Sequence, residues 1–153
     1  MNGDNPLFSS AFRFRHDIPH YYGDYVRDLF VATAVLSAVA LPVFGDLLPF
    51  GTLAQVGSAL LLVLLAGLTN PHGRMLMLYN VIVSGVGVLL LESAAISLYS
   101  SDSVELFVSR EVASVLLLFA FYFGIKTMRA MSLGKLGKTE KPWEFEDSKD
   151  AVE

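Results

Sequence analysis

Two ionisable residues, Glu92 and Arg110, lie inside apolar stretches of the sequence. Glu92 lies seven residues before Tyr99, which ends one apolar block, and Arg110 lies six residues after Val104, which begins the next. A charge at the centre of a membrane span costs roughly 2.5–3.5 kcal/mol, so such residues usually pair or have a function. Because both positions are nearly equidistant from the turn between the blocks, we expect them to form an intramembrane ion pair.

This pair has two interpretations. Glu92 and Arg110 could form a gate, a proton relay or the wall of a polar pathway, or they could be a pin that fixes the register of two helices. A pathway needs further polar side chains, and the blocks offer few: Thr33, Ser37, Gln55, Asn80, Ser84, Ser93 and, about 100° around the helix from Arg110, Glu111. A single chain therefore has too few polar groups for a continuous pore, although an oligomer could line one with rings of Glu92 or Asn80.

The segment before the first apolar block interleaves aromatic and basic residues. Aromatic rings settle at the headgroup level of a bilayer and arginines meet anionic lipid phosphates, so we expect this segment to lie in the membrane interface. The residues expected to contact lipid are Phe12, Arg13, Phe14, Arg15, Tyr21, Tyr22 and Tyr25.

Three histidines, His16, His20 and His72, belong to the same predicted membrane face. They could bind a metal ion or sense pH, since histidine titrates near neutrality. Pro19 interrupts the helix that would align His16 with His20, so we predict no metal site there. In the C-terminal tail, Trp143 and Phe145 could form a short motif that docks on a partner.

Composition indicates a membrane protein. The 153 residues are 54% hydrophobic and 17% charged, and the apolar residues fall into four blocks. The absence of cysteine excludes disulfides and thiolate chemistry. No nucleophile elbow, phosphate-binding glycine loop or HExxH motif is present, so we predict no enzyme activity and no cofactor. A net charge of −4 without a basic module argues against nucleic-acid binding.

We therefore predict an all-α integral membrane protein, an antiparallel up-down four-helix transmembrane bundle. The expected spans are about residues 29–45, 50–69, 75–99 and 104–125, within a domain of residues 25–127. Residues 1–24 form the interfacial segment, and residues 128–153 form a cytoplasmic tail that is largely disordered. Pro42 should end or kink the first helix, and Asp24, Asn70 and the pair Asp102–Glu105 should cap helix starts.

The basic residues predict the orientation, because Lys and Arg near a span stay on the cytoplasmic side. Ten of the eleven basic residues lie before the first block, at the start of the third or after the fourth. The other two connections contain Asp46 and Asp102 but no Lys or Arg. Both termini are thus expected in the cytoplasm. A bacterial inner membrane and an endomembrane fit equally well.

Two functional hypotheses follow. The first is a structural or interaction subunit, a scaffold or accessory protein whose partners are anionic headgroups at the cytoplasmic face, another membrane protein or further copies of itself. The second is an oligomeric channel or transport element for protons, ions or a small solute, using Glu92, Arg110 and Asn80. We favour the first, because extramembrane charge and aromatic residues are plentiful while intramembrane polarity is sparse.

Overall fold

A computed structural model of the chain describes residues 21–70 and 73–134. Within these residues the chain forms no strand and four α-helices, α1 (Gly23–Val43), α2 (Thr52–Leu68), α3 (Arg74–Ser97) and α4 (Val104–Ser132). Three of them, α1, α3 and α4, are long and apolar enough to cross a membrane, and α2 is an apolar helix of 17 residues. The all-helical prediction is confirmed, and these three helices suggest association with a membrane.

The helix ends follow the predicted blocks with two extensions. Helix α1 begins before Leu29, at Gly23, and α4 continues past Ile125 to Ser132. Both extensions are polar turns, which continue a helix without adding to its apolar span. Pro42 lies in the last turn of α1, which ends at Val43 as predicted.

Two of the predicted caps are wrong. Tyr22 is the N-cap of α1, so Asp24 lies in the first turn, where a negative charge still favours the helix dipole. The N-cap of α3 is Gly73 rather than Asn70. In neither case does a side chain form the capping hydrogen bond.

Helix α4 packs against both α3 and α1, and α2 packs against α1. Helices α2 and α3, although consecutive, approach each other at only a few residues. Beside these contacts, Asn80 Nδ2 donates a hydrogen bond of 2.9 Å to the Oγ1 atom of Thr69, which follows the last residue of α2. Farther along their length, α2 and α3 leave a gap.

Glycines bring α3 and α4 together. A Cβ atom added at Gly87 would lie 2.6 Å from Leu117 Cδ1, and one added at Gly124 would lie 2.8 Å from Val81 Cγ2. Side chains therefore pack directly onto the glycine backbone, as in tightly packed membrane helices. Residue numbers rise along α3 as they fall along α4 across these contacts.

Two ends of the molecule can be defined from its contacts. The amide of Tyr22 donates to Thr127 Oγ1 at 3.1 Å, so the start of α1 meets the last part of α4 at what we call the terminal end. At the opposite end, Arg110 Nε donates to Leu47 O at 2.7 Å. This Arg110 end contains the α1–α2 loop, residues 44–51, and the α3–α4 loop, residues 98–103.

Large apolar side chains cover the outside of all four helices as well as the interior. Phe30, Leu62, Leu65 and Leu117 belong to the buried core, while 86% of Leu53, for example, is exposed on the surface of α2. An exposed apolar surface of this extent is unusual for a protein in water.

Candidate functional site

The best-connected polar group is Arg110, which is only 2% exposed. Its Nε donates to Leu47 O at 2.7 Å, its Nη2 donates to Asp46 O at 3.1 Å, and its Nη1 forms an ion pair with Asp102. Two of these partners belong to the α1–α2 loop and one to the α3–α4 loop. A single guanidinium thus joins both loops of the Arg110 end, using the several N–H donors that arginine presents in one plane.

The predicted ion pair between Glu92 and Arg110 is wrong. Arg110 pairs with Asp102, and Glu92 Oε1 accepts a hydrogen bond of 2.6 Å from Ser114 Oγ. Ser114 lies one helical turn beyond Arg110 on α4, so Glu92 faces a different level of that helix. Arg110 instead binds the backbone carbonyls of Asp46 and Leu47. The position of these carbonyls depends on contacts between residues that are distant in sequence.

The predicted capping box at the start of α4 is wrong for the same reason. Asp102 forms an ion pair with Arg110, and the neighbouring Ser103 is the N-cap. The Ser103 hydroxyl accepts a hydrogen bond from Leu106 N at 3.3 Å, and Glu105 lies in the first turn. Because serine and aspartate are both good N-caps, the sequence alone did not distinguish them.

Gln55 continues the same network into α2 and was not predicted to belong to a site. It is 1% exposed; its Oε1 accepts from Leu47 N at 2.5 Å, and its Nε2 donates to Ser37 O at 2.8 Å. Leu47 therefore binds Gln55 through its N–H and Arg110 through its carbonyl. A lone glutamine in an apolar block was the available signal, since a buried amide needs partners.

The remaining predicted polar residues are dispersed. Asn80 is buried near the terminal end with its Nδ2 on Thr69, and its Oδ1 has no hydrogen-bond partner among the described residues. Ser84 Oγ donates to carbonyls of its own helix, including Asn80 O at 2.7 Å. Ser93 is exposed and Glu111 is partly exposed. These groups do not join the Arg110 network.

An aromatic cluster lies at the terminal end. Phe123 stacks on Tyr22 and Tyr25, with ring centroids 5.9 and 5.3 Å away, and Lys126 Nζ lies 4.3 Å from the centroid of the Tyr22 ring. Burial, with a smaller effect from the Asp24 carboxylate, raises the pKa of Tyr21, so this phenol stays neutral. Three predicted interfacial tyrosines are therefore at one end of the molecule.

The other predicted site residues lie outside the described part of the chain, and their roles remain predictions. They are Phe12, Arg13, Phe14, Arg15, His16, His20, His72, Trp143 and Phe145. Within residues 21–70 and 73–134, no group of three or more His, Asp or Glu side chains is arranged to hold a metal ion.

A cavity of about 330 Å³ occupies the gap between α2 and α3. Thr33 and Ser37 of α1 and Leu117 of α4 contribute to its lining, and exposed apolar residues of α2 and α3 lie at its mouth. The mouth residues are Leu61, Ile82, Val86 and Leu90. The cavity therefore opens sideways, onto the apolar outer surface.

The site as a whole combines the hydrogen-bond and ion-pair network of Arg110, which joins two loops, with an apolar cavity beside it. Its hydrogen bonds and ion pair join the two loops of the Arg110 end to helices α1, α2 and α4. No protein-family model, curated protein or solved structure matches this chain.

Proposed function

We propose that this chain is an integral membrane protein, an antiparallel up-down bundle of four transmembrane helices with both termini in the cytoplasm. It acts as a structural or interaction subunit of a membrane assembly. The observation that carries this proposal is the Arg110 network, in which the buried guanidinium binds two carbonyls of one loop and pairs with Asp102 of the other. Such a charge stabilises a scaffold and is not free to handle an ion.

Helix lengths and aromatic residues support the membrane placement. Helix α2 has 17 residues, which span about 25 Å at 1.5 Å per residue, near the lower limit for crossing the hydrocarbon core. Aromatic residues flank the apolar region at both ends, with Tyr22 and Tyr25 at the terminal end and Tyr99 against Phe107 at the Arg110 end. Such belts occur at both interfaces of membrane proteins.

The distribution of charge supports the orientation. The described basic residues outside the Arg110 network are Arg27, Arg74, Lys126 and Arg129, and they occur at the starts of α1 and α3 and at the end of α4. Loops 44–51 and 98–103 contain acidic residues and no Lys or Arg. Positively charged segments are retained in the cytoplasm, so the terminal end faces the cytoplasm in this proposal.

The buried polar residues lie in separate groups and do not form a continuous row through the bundle. Arg110 and Gln55 lie at one end, Asn80 lies near the other, and the hydroxyls of Ser37 and Ser84 donate to carbonyls of their own helices. Apolar core residues separate the two groups. A single chain thus lacks a continuous line of polar groups for a hydrated path, which favours the subunit hypothesis over transport.

The outer face of α2 is the surface we propose for a neighbouring transmembrane helix. Helix α2 packs mainly on α1, and its opposite face exposes Leu53, Gly57, Leu60, Leu64 and Gly67. A Cβ atom added at either glycine would meet nothing within 4 Å. The face is entirely apolar, so its partner must also be an apolar helix, and the glycines let that helix approach closely.

The proposal is tested by the size of the assembly in native lipid. The chain is extracted from its membrane together with surrounding lipid, and particle mass is measured for the wild type, for Gly57→Phe and for Val35→Phe, an exposed control on α1. We expect a wild-type particle larger than one chain, which Gly57→Phe reduces and Val35→Phe does not. A monomeric wild-type particle would contradict the interaction function.

A flux assay separates the subunit from the transport hypothesis. The purified protein is reconstituted in liposomes with a pH-sensitive dye and a potassium gradient. We expect the same proton and ion flux as in empty liposomes, for the wild type and for Glu92→Gln. A wild-type flux that Glu92→Gln abolishes would instead assign transport to an oligomer containing Glu92.

A further inference from the structure

The cavity between α2 and α3 has the size of a small ligand site. Its volume of about 330 Å³ is near the lower end of the roughly 300–1,000 Å³ of typical ligand cavities. A helix, about 10–12 Å in diameter with its side chains, cannot enter such a space, whereas one hydrocarbon chain can. The lining is mostly apolar, from Leu62 and Leu91 inside to Val86 at the mouth.

The polar groups of the cavity are neutral, and one of them retains a free donor. Gln55 uses one Nε2 hydrogen on Ser37 O, and among the described residues no acceptor meets the other. The hydroxyls of Thr33, Ser37 and Ser58 all donate to backbone carbonyls, so only their acceptor positions remain. The cavity therefore offers one amide N–H to a ligand that carries a carbonyl oxygen.

In the proposed membrane placement, Gln55 would lie near the ester level of the leaflet at the Arg110 end. Gln55 lies in the first turn of α2, beside the loop at the Arg110 end. Leu62, also in the lining, lies seven residues farther along α2, which is about 10 Å deeper. An acyl chain that begins at Gln55 would thus run inward along the cavity.

The acidic residues around the cavity disfavour a lipid with an anionic headgroup. Asp46 and Asp102 lie in the two loops of the Arg110 end, and Glu105 is in the adjoining turn of α4. Arg110 is engaged with these loops, and among the described residues these loops contain no Lys or Arg. An anionic headgroup would meet net negative charge there.

We propose that the cavity binds one acyl chain of a bilayer glycerolipid without net negative charge, whose ester carbonyl accepts a hydrogen bond from Gln55. The lipid enters through the lateral mouth between α2 and α3, from the leaflet at the Arg110 end. This binding site rests on the proposed membrane placement. It would fill the gap that α2 and α3 leave between them.

The test uses photoreactive lipids and the full-length protein in bilayer nanodiscs. Phosphatidylcholine carrying a diazirine in one acyl chain is compared with phosphatidylglycerol carrying the same chain, and labelled residues are mapped by mass spectrometry. Leu61 and Val86 at the mouth are compared with Leu118 and Val35, residues of the same types exposed elsewhere. We expect about tenfold more labelling at the mouth than at the controls with phosphatidylcholine, and less with phosphatidylglycerol.

The outcomes distinguish failure of this site from failure of the membrane placement. Equal labelling at mouth and control residues would overturn the lipid site while leaving membrane insertion intact. Absence of labelling at all four residues would overturn both. Labelling by phosphatidylglycerol equal to or above that by phosphatidylcholine would overturn the selection against negative charge and with it the proposed ligand.

Substitutions that narrow the mouth of the cavity provide a second test, with a matched control. Val86→Phe narrows the mouth, and Leu118→Phe makes the same kind of change at a similarly exposed position on α4. We expect labelling of Leu61 to fall to the control level in Val86→Phe and to stay high in Leu118→Phe. Leu90→Phe repeats the test from another mouth residue, and unchanged labelling of Leu61 in both filled variants would contradict the site.

Discussion

Arg110 shows how one buried charge can join segments that are distant in sequence. Its guanidinium contacts two carbonyls of the α1–α2 loop and the carboxylate of Asp102 in the α3–α4 loop. Burying this group is costly, and the cost is offset only while its charge and its donors are paired. The arrangement makes the closure of both loops depend on a single side chain.

Arg110→Met is therefore expected to destabilise the protein by about 3 kcal/mol, since it leaves the Asp102 carboxylate without its cation and the carbonyls of Asp46 and Leu47 without donors. Unfolding by SDS in mixed micelles measures the change. Arg129→Met is the matched control, because Arg129 is exposed near the end of α4. Equal stability of the two variants would refute the proposed role of Arg110.

A double-mutant cycle checks which carboxylate pairs with Arg110. Combining Arg110→Met with Asp102→Asn should give a coupling free energy of about 1 kcal/mol or more, whereas combining it with Glu92→Gln should give a value near zero. Glu92→Gln alone should change stability by less than about 1 kcal/mol, because the amide oxygen can still accept from Ser114. Strong coupling between Arg110 and Glu92 would instead restore the pairing expected from sequence.

At this scale the sequence indicated that Arg110 needs a partner but not which one. Equal spacing from a turn favoured Glu92, yet the deciding contacts come from the loop at Leu47, which is more than sixty residues away. Gln55 was predicted only as an isolated polar residue of the second block, since both of its partners lie on or beside α1. Local spacing contains no information about such contacts.

At the scale of elements, close approach of α3 and α4 depends on glycine. Gly124→Val should destabilise the protein by roughly 1–3 kcal/mol, because a side chain at this position collides with Val81. Gly67→Val on α2 is the control, as nothing lies within 4 Å of its added Cβ. Thermal unfolding in the same detergent compares the two, and a Gly124→Val variant as stable as Gly67→Val would disprove the tight packing.

The existence of all four helices could be predicted, since each follows an apolar block about 20 residues long. Their starts could not, because Tyr22 and Gly73 are N-caps that make no side-chain hydrogen bond. The cavity was not predictable, because it arises where α2 and α3 fail to meet along most of their length.

At the scale of the whole molecule, the lateral cavity and the outer face of α2 can be occupied at the same time. The cavity is lined from α2 by Ser58, Leu61 and Leu62, and the proposed partner face, with Leu60 and Leu64, lies on the opposite side of the same helix. A lipid in the cavity would support α2 from within the bundle while a partner helix packs outside. In the proposed assembly, the lipid and the partner helix would together supply contacts for α2 that α3 does not provide.

The most direct test of the central claim is the side of the membrane on which each end lies. The chain has no cysteine, so Ser101→Cys in the α3–α4 loop and Ser132→Cys at the end of α4 each provide one thiol for a membrane-impermeant maleimide; both serines are exposed. With the reagent confined to the non-cytoplasmic side of sealed membranes, the account predicts labelling of Ser101→Cys, and labelling of Ser132→Cys only after permeabilisation. Labelling of Ser132→Cys from that side of sealed membranes, or equal labelling of both variants, would contradict a four-span protein with cytoplasmic termini.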